Sequence, residues 1–447
     1  MDVEVKAVGG YAEFGRNMTC VRIGREAVIF DMGLRMDRVL LHEDLVFEDA
    51  TSLDLQALGA IPDDSVLRGM DAKVKAIVLN HGHLDHVGAV IKLARHYKCP
   101  IIATPYTVKI IQDESLKGRG RNAIPNAMIP LKAGQRHRLG PHLEIEFVNI
   151  THSIAQTVLS VLHTPKGSVV YALDFKMDNS PVIGEKPDYR RMRSLGMEGV
   201  HTLIVETTRA HEETKTPSES IARDMLKDYL FGLDIERHGV LVTTFSSHTA
   251  RIKSIMEFGH EMGREVLLLG RSMEKYTRHA LDLGIIKPIG NARAYGDPRS
   301  VEQQLKRVAR EGPEKFLLVV TGHQGEENAL LSRIANKDTP LKLARDDHVI
   351  FSADTIPHPI NVANRYTLET KLKLQGAILI KGAHVSGHGS REDHRELLRM
   401  LEPRNIFPTH GNMEHLAGYT ELAERHGWKL NDSVHLMRNG QSHTMKG

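Results

Sequence analysis

Only two cysteines occur in the 447 residues, Cys20 and Cys99. They stand apart, with no C-x-x-C spacing, which argues against a disulfide scaffold or a thiolate metal site and suits a reducing compartment. No apolar run approaches the roughly 20 residues that a membrane span needs. The N-terminal run Met1-Asp2-Val3-Glu4-Val5-Lys6 is charged and alternating, unlike a secretory signal. These absences predict a cytoplasmic enzyme with no membrane segment. An excess of one charge is missing too. Lys and Arg number 59 and Asp and Glu 56, leaving +3 with the 26 histidines counted neutral. A nucleic-acid partner is permitted, but any basic surface must be local. Internal repeats and low-complexity segments are absent. The glycine-rich run Gly9 to Met18 lacks G-x-G-x-x-G spacing and no helical pattern follows it, so it is not a dinucleotide-binding turn.

What the chain does have is histidine in a telling place. His81-Gly82-His83-Leu84-Asp85-His86 packs three imidazoles and a carboxylate into six residues. Neutral imidazole nitrogen and carboxylate oxygen are ligands that zinc and similar metals take. His81 and His83, two apart, can grip one ion, and Asp85 and His86 can face a second. The apolar run Val74 to Leu79 before the motif reads as a buried strand, and Val87 to Ala94 after it as a helix.

Several other strands end in a candidate ligand. Leu143 to Ile150 alternates and runs into Thr151-His152-Ser153; Ser168 to Leu173 ends at Asp174; Thr202 to Val205 ends at Glu206. His152 is expected to complete the first metal's shell and Asp174, with two oxygens, to bridge both ions. Glu206 is better placed to orient a histidine. Asp31 ends the predicted hairpin of Thr19 to Ile23 and Glu26 to Phe30, and reads equally as such a support or as a turn residue. Residues 34 to 70 look like a polar surface excursion. Lys117, Arg119 and Arg121 lie in a glycine-rich basic loop that could touch phosphates.

Near residue 209 the pattern changes to alternating strands and helices. Val240 to Phe245, Glu265 to Leu269, Phe316 to Val320 and His348 to Phe351 read as strands of a doubly wound α/β domain. Polar loops follow them, among them Ser246-Ser247-His248, Thr321 to Glu326 and Ser352 to Thr355, where ligands of such sheets bind. Histidines then return, in Lys381 to Ser390 and in Thr409-His410-Gly411.

Taken in order, His81-x-His83-x-Asp85-His86, His152 and Asp174 resemble the metallo-β-lactamase superfamily. Glu206, His388 in Ser386-Gly387-His388, and His410 in Thr409-His410-Gly411 resemble the further motifs of its β-CASP nucleases. Thr321-Gly322-His323-Gln324-Gly325-Glu326 and His384-Val385-Ser386-Gly387-His388 resemble the ribonuclease J family, most of all its archaeal form. The resemblance implies an α/β fold: a four-layer αββα domain from residues 1–208 and 366–447, with a β-CASP domain inserted over 209–365. It implies two zinc ions per subunit, with manganese or magnesium as alternatives. One would be held by His81, His83, His152 and Asp174, the other by Asp85, His86, Asp174 and His410. His388 would reach the scissile phosphate. Ser352, His384 and Ser386 would bind a 5′-phosphate, and Ser247, His248 and the basic loop would touch RNA. The implied activity is 5′-to-3′ degradation of single-stranded RNA with a 5′-monophosphate, by a homodimer, in RNA decay and rRNA processing. The chain departs from the bacterial pattern at His323, where serine is usual, and in Ser352-Ala353-Asp354-Thr355-Ile356-Pro357-His358-Pro359. It also ends soon after the metal domain closes, so the separate C-terminal domain of bacterial members is not expected.

The chemistry fits these residues on its own terms. Phosphodiester hydrolysis needs a nucleophile at neutral pH and neutralisation of charge at phosphorus, both of which a two-metal site with a hydroxide supplies. Asp85 could accept the nucleophile's proton and His388 could serve the phosphate or leaving oxygen. The rival readings are an endoribonuclease of the same family and a metal-bearing RNA-binding protein without activity.

Overall fold

Val28 and Phe30 of the strand Glu26–Phe30 belong to one apolar core, Ala27 and Ile29 of the same strand to another. The strand Lys73–Val78 repeats the pattern, with Ala76 and Val78 in the first core and Ile77 in the second. Period-two alternation buried on both sides means a sheet covered on both faces. The structure, a computed structural model, describes residues 2–41, 47, 49–116, 123–232, 235–356 and 358–446. The basic-loop residues Lys117, Arg119 and Arg121 lie outside the described residues.

The chain divides into two compact units: Met1–Asn179, Glu185–Thr216 and Gly387–Gly447 form one, Ser180–Gly184 and Pro217–Ser386 the other. The first holds two sheets. One runs, in spatial order, Ser442–Met445, Val3–Gly9, Met18–Ile23, Glu26–Phe30, Lys73–Val78, Ile101–Ala103 and Met128–Pro130. The other runs Asn405–Thr409, Val200–Glu206, Gly167–Ala172, Val158–Thr164, Glu144–Asn149 and Arg136–Arg138. Their inner faces share one core, in which Phe30 stacks on Tyr171 with ring centroids 4.9 Å apart. Burying such a ring contributes roughly 1.5–3 kcal/mol. The outer face of the first sheet packs Ile77 and Leu79 with Val90 and Leu93 of the helix Val90–Leu93. The outer face of the second packs Val170, Leu203 and Val205 against the helices Tyr189–Glu198, Arg391–Leu401 and Met413–Arg425. Helix, sheet, sheet and helix are thus four layers. Both ends of the chain build them, since Val3–Gly9 pairs with Ser442–Met445 and Val200–Glu206 with Asn405–Thr409.

Local differences from the sequence reading have local causes. The helix expected after the histidine motif is two short ones, Leu84–Val87 and Val90–Leu93. Between them the helical ladder is interrupted: the Asp85 carbonyl accepts from the Asn17 amide at 3.1 Å, and the Ala89 amide donates to the Met32 carbonyl at 2.9 Å. The supposed excursion at 34 to 70 contains the helices Met36–Leu40 and Ser52–Ala57, the second started by a Thr51–Asp54 capping box. The strand Val158–Thr164 and the helix Tyr189–Glu198 were not anticipated.

The second unit carries a six-stranded sheet in the order Arg293–Tyr295, Glu265–Leu269, Phe316–Val320, Val240–Thr243, His348–Phe351 and Ile378–Ile380. Every pairing is parallel. The expected division at residue 365 falls inside the helix Pro359–Leu374, whose Leu368 and Leu372 enter this unit's core. From the neighbouring strands Val240–Thr243 and His348–Phe351 the chain departs toward opposite edges. That makes their carboxyl ends a topological switch point. Among the described residues, no helix is long and apolar enough to cross a membrane.

Candidate metal centre

Strand ends in the first unit deliver the ligands. Asp31 follows Glu26–Phe30, Asp174 follows Gly167–Ala172 and His410 follows Asn405–Thr409. All three have left-handed backbone, with φ of 58°, 53° and 51°. Each such non-glycine conformation costs on the order of 1 kcal/mol or more and is held only where its surroundings require it. Here the turn swings a side chain across the end of the sheet. His81, His83, Asp85 and His86 come from the loop and short helix after Lys73–Val78.

Two ligand sets result, and Asp174 belongs to both. In the first, His81 Nε2 lies 3.1 Å and His152 Nε2 3.2 Å from His83 Nδ1. Asp174 Oδ2 stands 3.5 Å from both His81 Nε2 and His152 Nε2. In the second, Asp174 Oδ1 is 3.3 Å from His86 Nε2 and 3.6 Å from His410 Nε2. Asp85 Oδ2 is 3.5 and 3.7 Å from those same nitrogens. Tetrahedral zinc with arms of about 2.0–2.1 Å separates its ligands by about 3.3–3.4 Å, so both sets have the right size. Asp174 Oδ1 points the same way: it is buried, has no well-directed hydrogen bond, and faces only the His86 and His410 nitrogens at 3.3 and 3.6 Å, an arrangement a carboxylate oxygen does not tolerate cheaply. A cation fits there.

The electrostatics agree. Burial lowers His81, His83 and His152, with His83 down at about 4, so all three imidazoles are neutral at pH 7 and offer lone pairs. His86 goes the other way. Burial alone would lower it, but Asp174, Asp85 and Asp31 outweigh burial and raise it well above the ordinary histidine value. Three carboxylates around one point call for positive charge, from a proton or a metal.

Supporting groups fix which nitrogen faces inward. His86 Nδ1 donates to Asp31 Oδ2 at 2.7 Å, and Asp31 Oδ1 accepts from the Asn80 amide at 2.9 Å. Asp31 is therefore a support of the site as well as a turn residue. His152 Nδ1 donates to the Gly387 carbonyl at 2.7 Å. His410 Nδ1 donates to Asn17 Oδ1 at 3.0 Å, while Asn17 Nδ2 donates to the Asp85 carbonyl at 3.1 Å. Asn17 and Gly33 escaped the sequence reading. A Cβ on Gly33 would lie 1.6 Å from the Asp85 carbonyl oxygen, so the backbone passes there only as glycine. The available signal was the glycine-rich Gly9 to Met18 run, whose Gly10 carbonyl accepts from the His410 amide at 2.8 Å.

Glu206 and His388 form a third group with Asp174. His388 Nδ1 donates to buried Glu206 Oε2 at 2.7 Å, and its Nε2 stands 4.0 Å from Asp174 Oδ2. Glu206 Oε1 accepts from the Phe175 amide at 2.7 Å. Burial would lower His388, but Glu206 and Asp174 override it and hold it at about 9. Its side chain is 23% exposed, so unlike Glu206 it reaches the surface of the cluster.

The remaining expected residues lie in the second unit. Ser352 is fully buried; its hydroxyl donates to the Ala383 carbonyl and accepts from Arg251, both at 2.8 Å. That corrects its expected role as a phosphate donor. His248 is likewise buried, caps the helix Thr249–Glu261 and lies 3.5 Å from Glu219, so it is not an RNA contact of the open surface. Ser247, His384 and Ser386 are partly exposed. His384 Nε2 is 4.0 Å from Asp354. His323 is buried against Phe245, and His358 lies at the start of the helix Pro359–Leu374.

Comparison with known proteins places these features in a family. Residues 53–216 match the β-lactamase superfamily domain, 237–367 the β-CASP domain of ribonuclease J, and 377–431 the Zn-dependent metallo-hydrolase RNA specificity domain. The chain is 52% identical over 441 residues to ribonuclease J of Methanocaldococcus jannaschii, covering 99% of this chain and 98% of that one. It is 48% identical to ribonuclease J of Pyrococcus abyssi, covering 98% and 96%. A crystal structure of a protein of unknown function from Enterococcus faecalis V583 aligns over 100% of both chains with a TM-score of 0.66 at 16% identity, a likeness of fold. The chain belongs to the ribonuclease J family, metal-dependent β-CASP nucleases of the metallo-β-lactamase superfamily.

Proposed function

We propose that the protein is a 5′-to-3′ exoribonuclease that prefers single-stranded RNA with a 5′-monophosphate. It would use two ions, zinc with manganese or magnesium as alternatives. The observation that carries the hydrolytic half is Asp174, which turns one oxygen to each of two ligand sets. His81, His83, His152 and Asp174 would hold one ion, and Asp85, His86, Asp174 and His410 the other. Ions bound there supply a nucleophile at neutral pH and neutralise phosphate charge.

The chain's own groups do the rest. Asp85 is 32% exposed, against 5% or less for His86, Asp174 and His410. It is the carboxylate able to take a proton from an incoming water. His388 keeps its Nδ1 proton on Glu206 and so presents Nε2. Held protonated at neutral pH, it donates to a phosphate oxygen or the leaving oxygen. If cations occupy Asp174, Glu206 remains to hold that charge. Asp31 and Asn17 keep the imidazoles of His86 and His410 aimed.

End preference is assigned to His384 and Ser386, which precede His388 by four and two residues in the chain. They are supported by the switch point of the inserted sheet, where open α/β proteins bind ligands. RNA would otherwise be held through its backbone, so salt should weaken binding. The family resemblance supports a cytoplasmic homodimer with roles in RNA decay and rRNA processing; sedimentation tests the dimer.

The deciding experiment is digestion of one RNA carrying a 5′-monophosphate, a 5′-triphosphate or a 5′-hydroxyl, beside its circular form. Rapid mononucleotide release from the monophosphate alone is expected. Equal rates on all ends would remove the end preference, and a product ladder from the circle would replace it with endonucleolytic cutting.

A further inference from the structure

In the second unit the largest fully buried side chain is a cation, Arg251, in the helix Thr249–Glu261. Its guanidinium makes two kinds of contact. Toward its own side, Nε and Nη2 donate to Glu219 Oε1 and Oε2 at 2.6 and 3.0 Å, a bidentate pair. On the other side, Nη1 lies 2.7 Å from the Ser352 carbonyl, 2.8 Å from Ser352 Oγ and 2.8 Å from the Ala383 carbonyl. Ser352 Oγ closes the ring by donating to the same Ala383 carbonyl at 2.8 Å. Thr244 Oγ1 adds a further bond to the Ser352 carbonyl at 3.0 Å.

These oxygens belong to separate loops. Ser352 ends the strand His348–Phe351 at the switch point, and Ala383 precedes His384 and Ser386. One cation therefore joins the loop at the switch point to the loop that carries the partly exposed histidine and serine. A buried ion pair adds little net stability over well-packed apolar residues. What a guanidinium supplies is a rigid plane of donors that fixes several acceptors at once, which a lysine ammonium cannot copy.

We propose that Arg251 is a positioning residue for recognition of the RNA 5′-phosphate: it clasps Ser352 to Ala383 and so sets where His384 and Ser386 stand. This rests on the end-recognition reading given above. It also accounts for a serine that is too buried to meet phosphate itself.

The test compares kcat/KM for the same RNA with a 5′-monophosphate and with a 5′-hydroxyl end. It uses the wild-type protein, Arg251→Lys, and the double variant Glu219→Gln with Arg251→Met, which leaves no unpaired buried charge. Misplacing the pocket should cut the monophosphate preference at least about 10-fold, mostly through KM. A purely structural role would slow both substrates alike and leave the ratio unchanged, which overturns the proposal. Ser352→Ala removes one arm of the clasp and no charge, so it supplies the same ratio if the Arg251 variants do not fold. Absence of any end preference in the wild type would instead sink the end-recognition reading itself.

Discussion

His388 and Glu206 stand 182 positions apart in the sequence, yet His388 Nδ1 lies 2.7 Å from Glu206 Oε2. The carboxylate is fully buried and the imidazole is not. The pair therefore holds a proton at the edge of the ligand cluster without belonging to either four-residue set. If His388 donates to substrate, His388→Ala should lower turnover about 100- to 10,000-fold. Metal content should be unchanged. Loss of metal along with activity would make His388 a ligand instead. Elemental analysis beside single-turnover RNA hydrolysis separates the two.

Asp174 faces both sets and His410 only one. Asp174→Asn should strip both ions, whereas His410→Ala should remove one and leave the other. The measurement is metal stoichiometry after dialysis, paired with melting temperature. Chelation should lower the melting temperature of the wild type, because an ion that binds the native state alone stabilises it. Equal stoichiometry in the two variants would contradict a shared carboxylate.

Gly33 and Asp31 act on the site from behind. Gly33→Ala drives a methyl into the Asp85 carbonyl, a backbone atom that cannot swing away. A loss of at least about 3 kcal/mol is expected by chemical denaturation. Asp31→Asn keeps shape but weakens the bond that aims His86, and should cost about 10- to 100-fold in metal affinity or activity. A silent Asp31→Asn would mean that Asp31 only makes the turn.

His323 gives a prediction in pH. Burial, with Arg365 as a smaller contributor, pushes it down to about 3. The folded state therefore refuses a proton that the unfolded state accepts below the ordinary value of about 6.5. Its contribution is intact above that value and is lost progressively as pH falls toward 3. At pH 5 the loss is on the order of 2 kcal/mol. Replacing His323 with Asn should flatten the acid limb of stability between those limits, whatever it does to absolute stability. An unchanged slope in urea titrations at pH 7, 6 and 5 would show that the imidazole is not held neutral.

Much of this protein was legible along the chain. The hexapeptide His81 to His86 announces metal because its ligands are neighbours in sequence. His152, Asp174 and Glu206 could be picked out because each stands at or just beyond the end of an apolar strand, where a sheet presents side chains; His410 came only with the family resemblance. Other matters depended on approach between distant segments, which residue type does not encode. Asn17 holds His410 across 393 positions, and a polar residue in a glycine-rich turn carries no mark of that partner. Ser352 and His248 looked like surface ligands because serine and histidine after a strand usually meet water. Burial beside Arg251 and Glu219 turned both inward. Sequence by itself determined which atoms could bind a metal; only the tertiary structure decided which of them face one another, which are held from behind, and which are spent inside the fold.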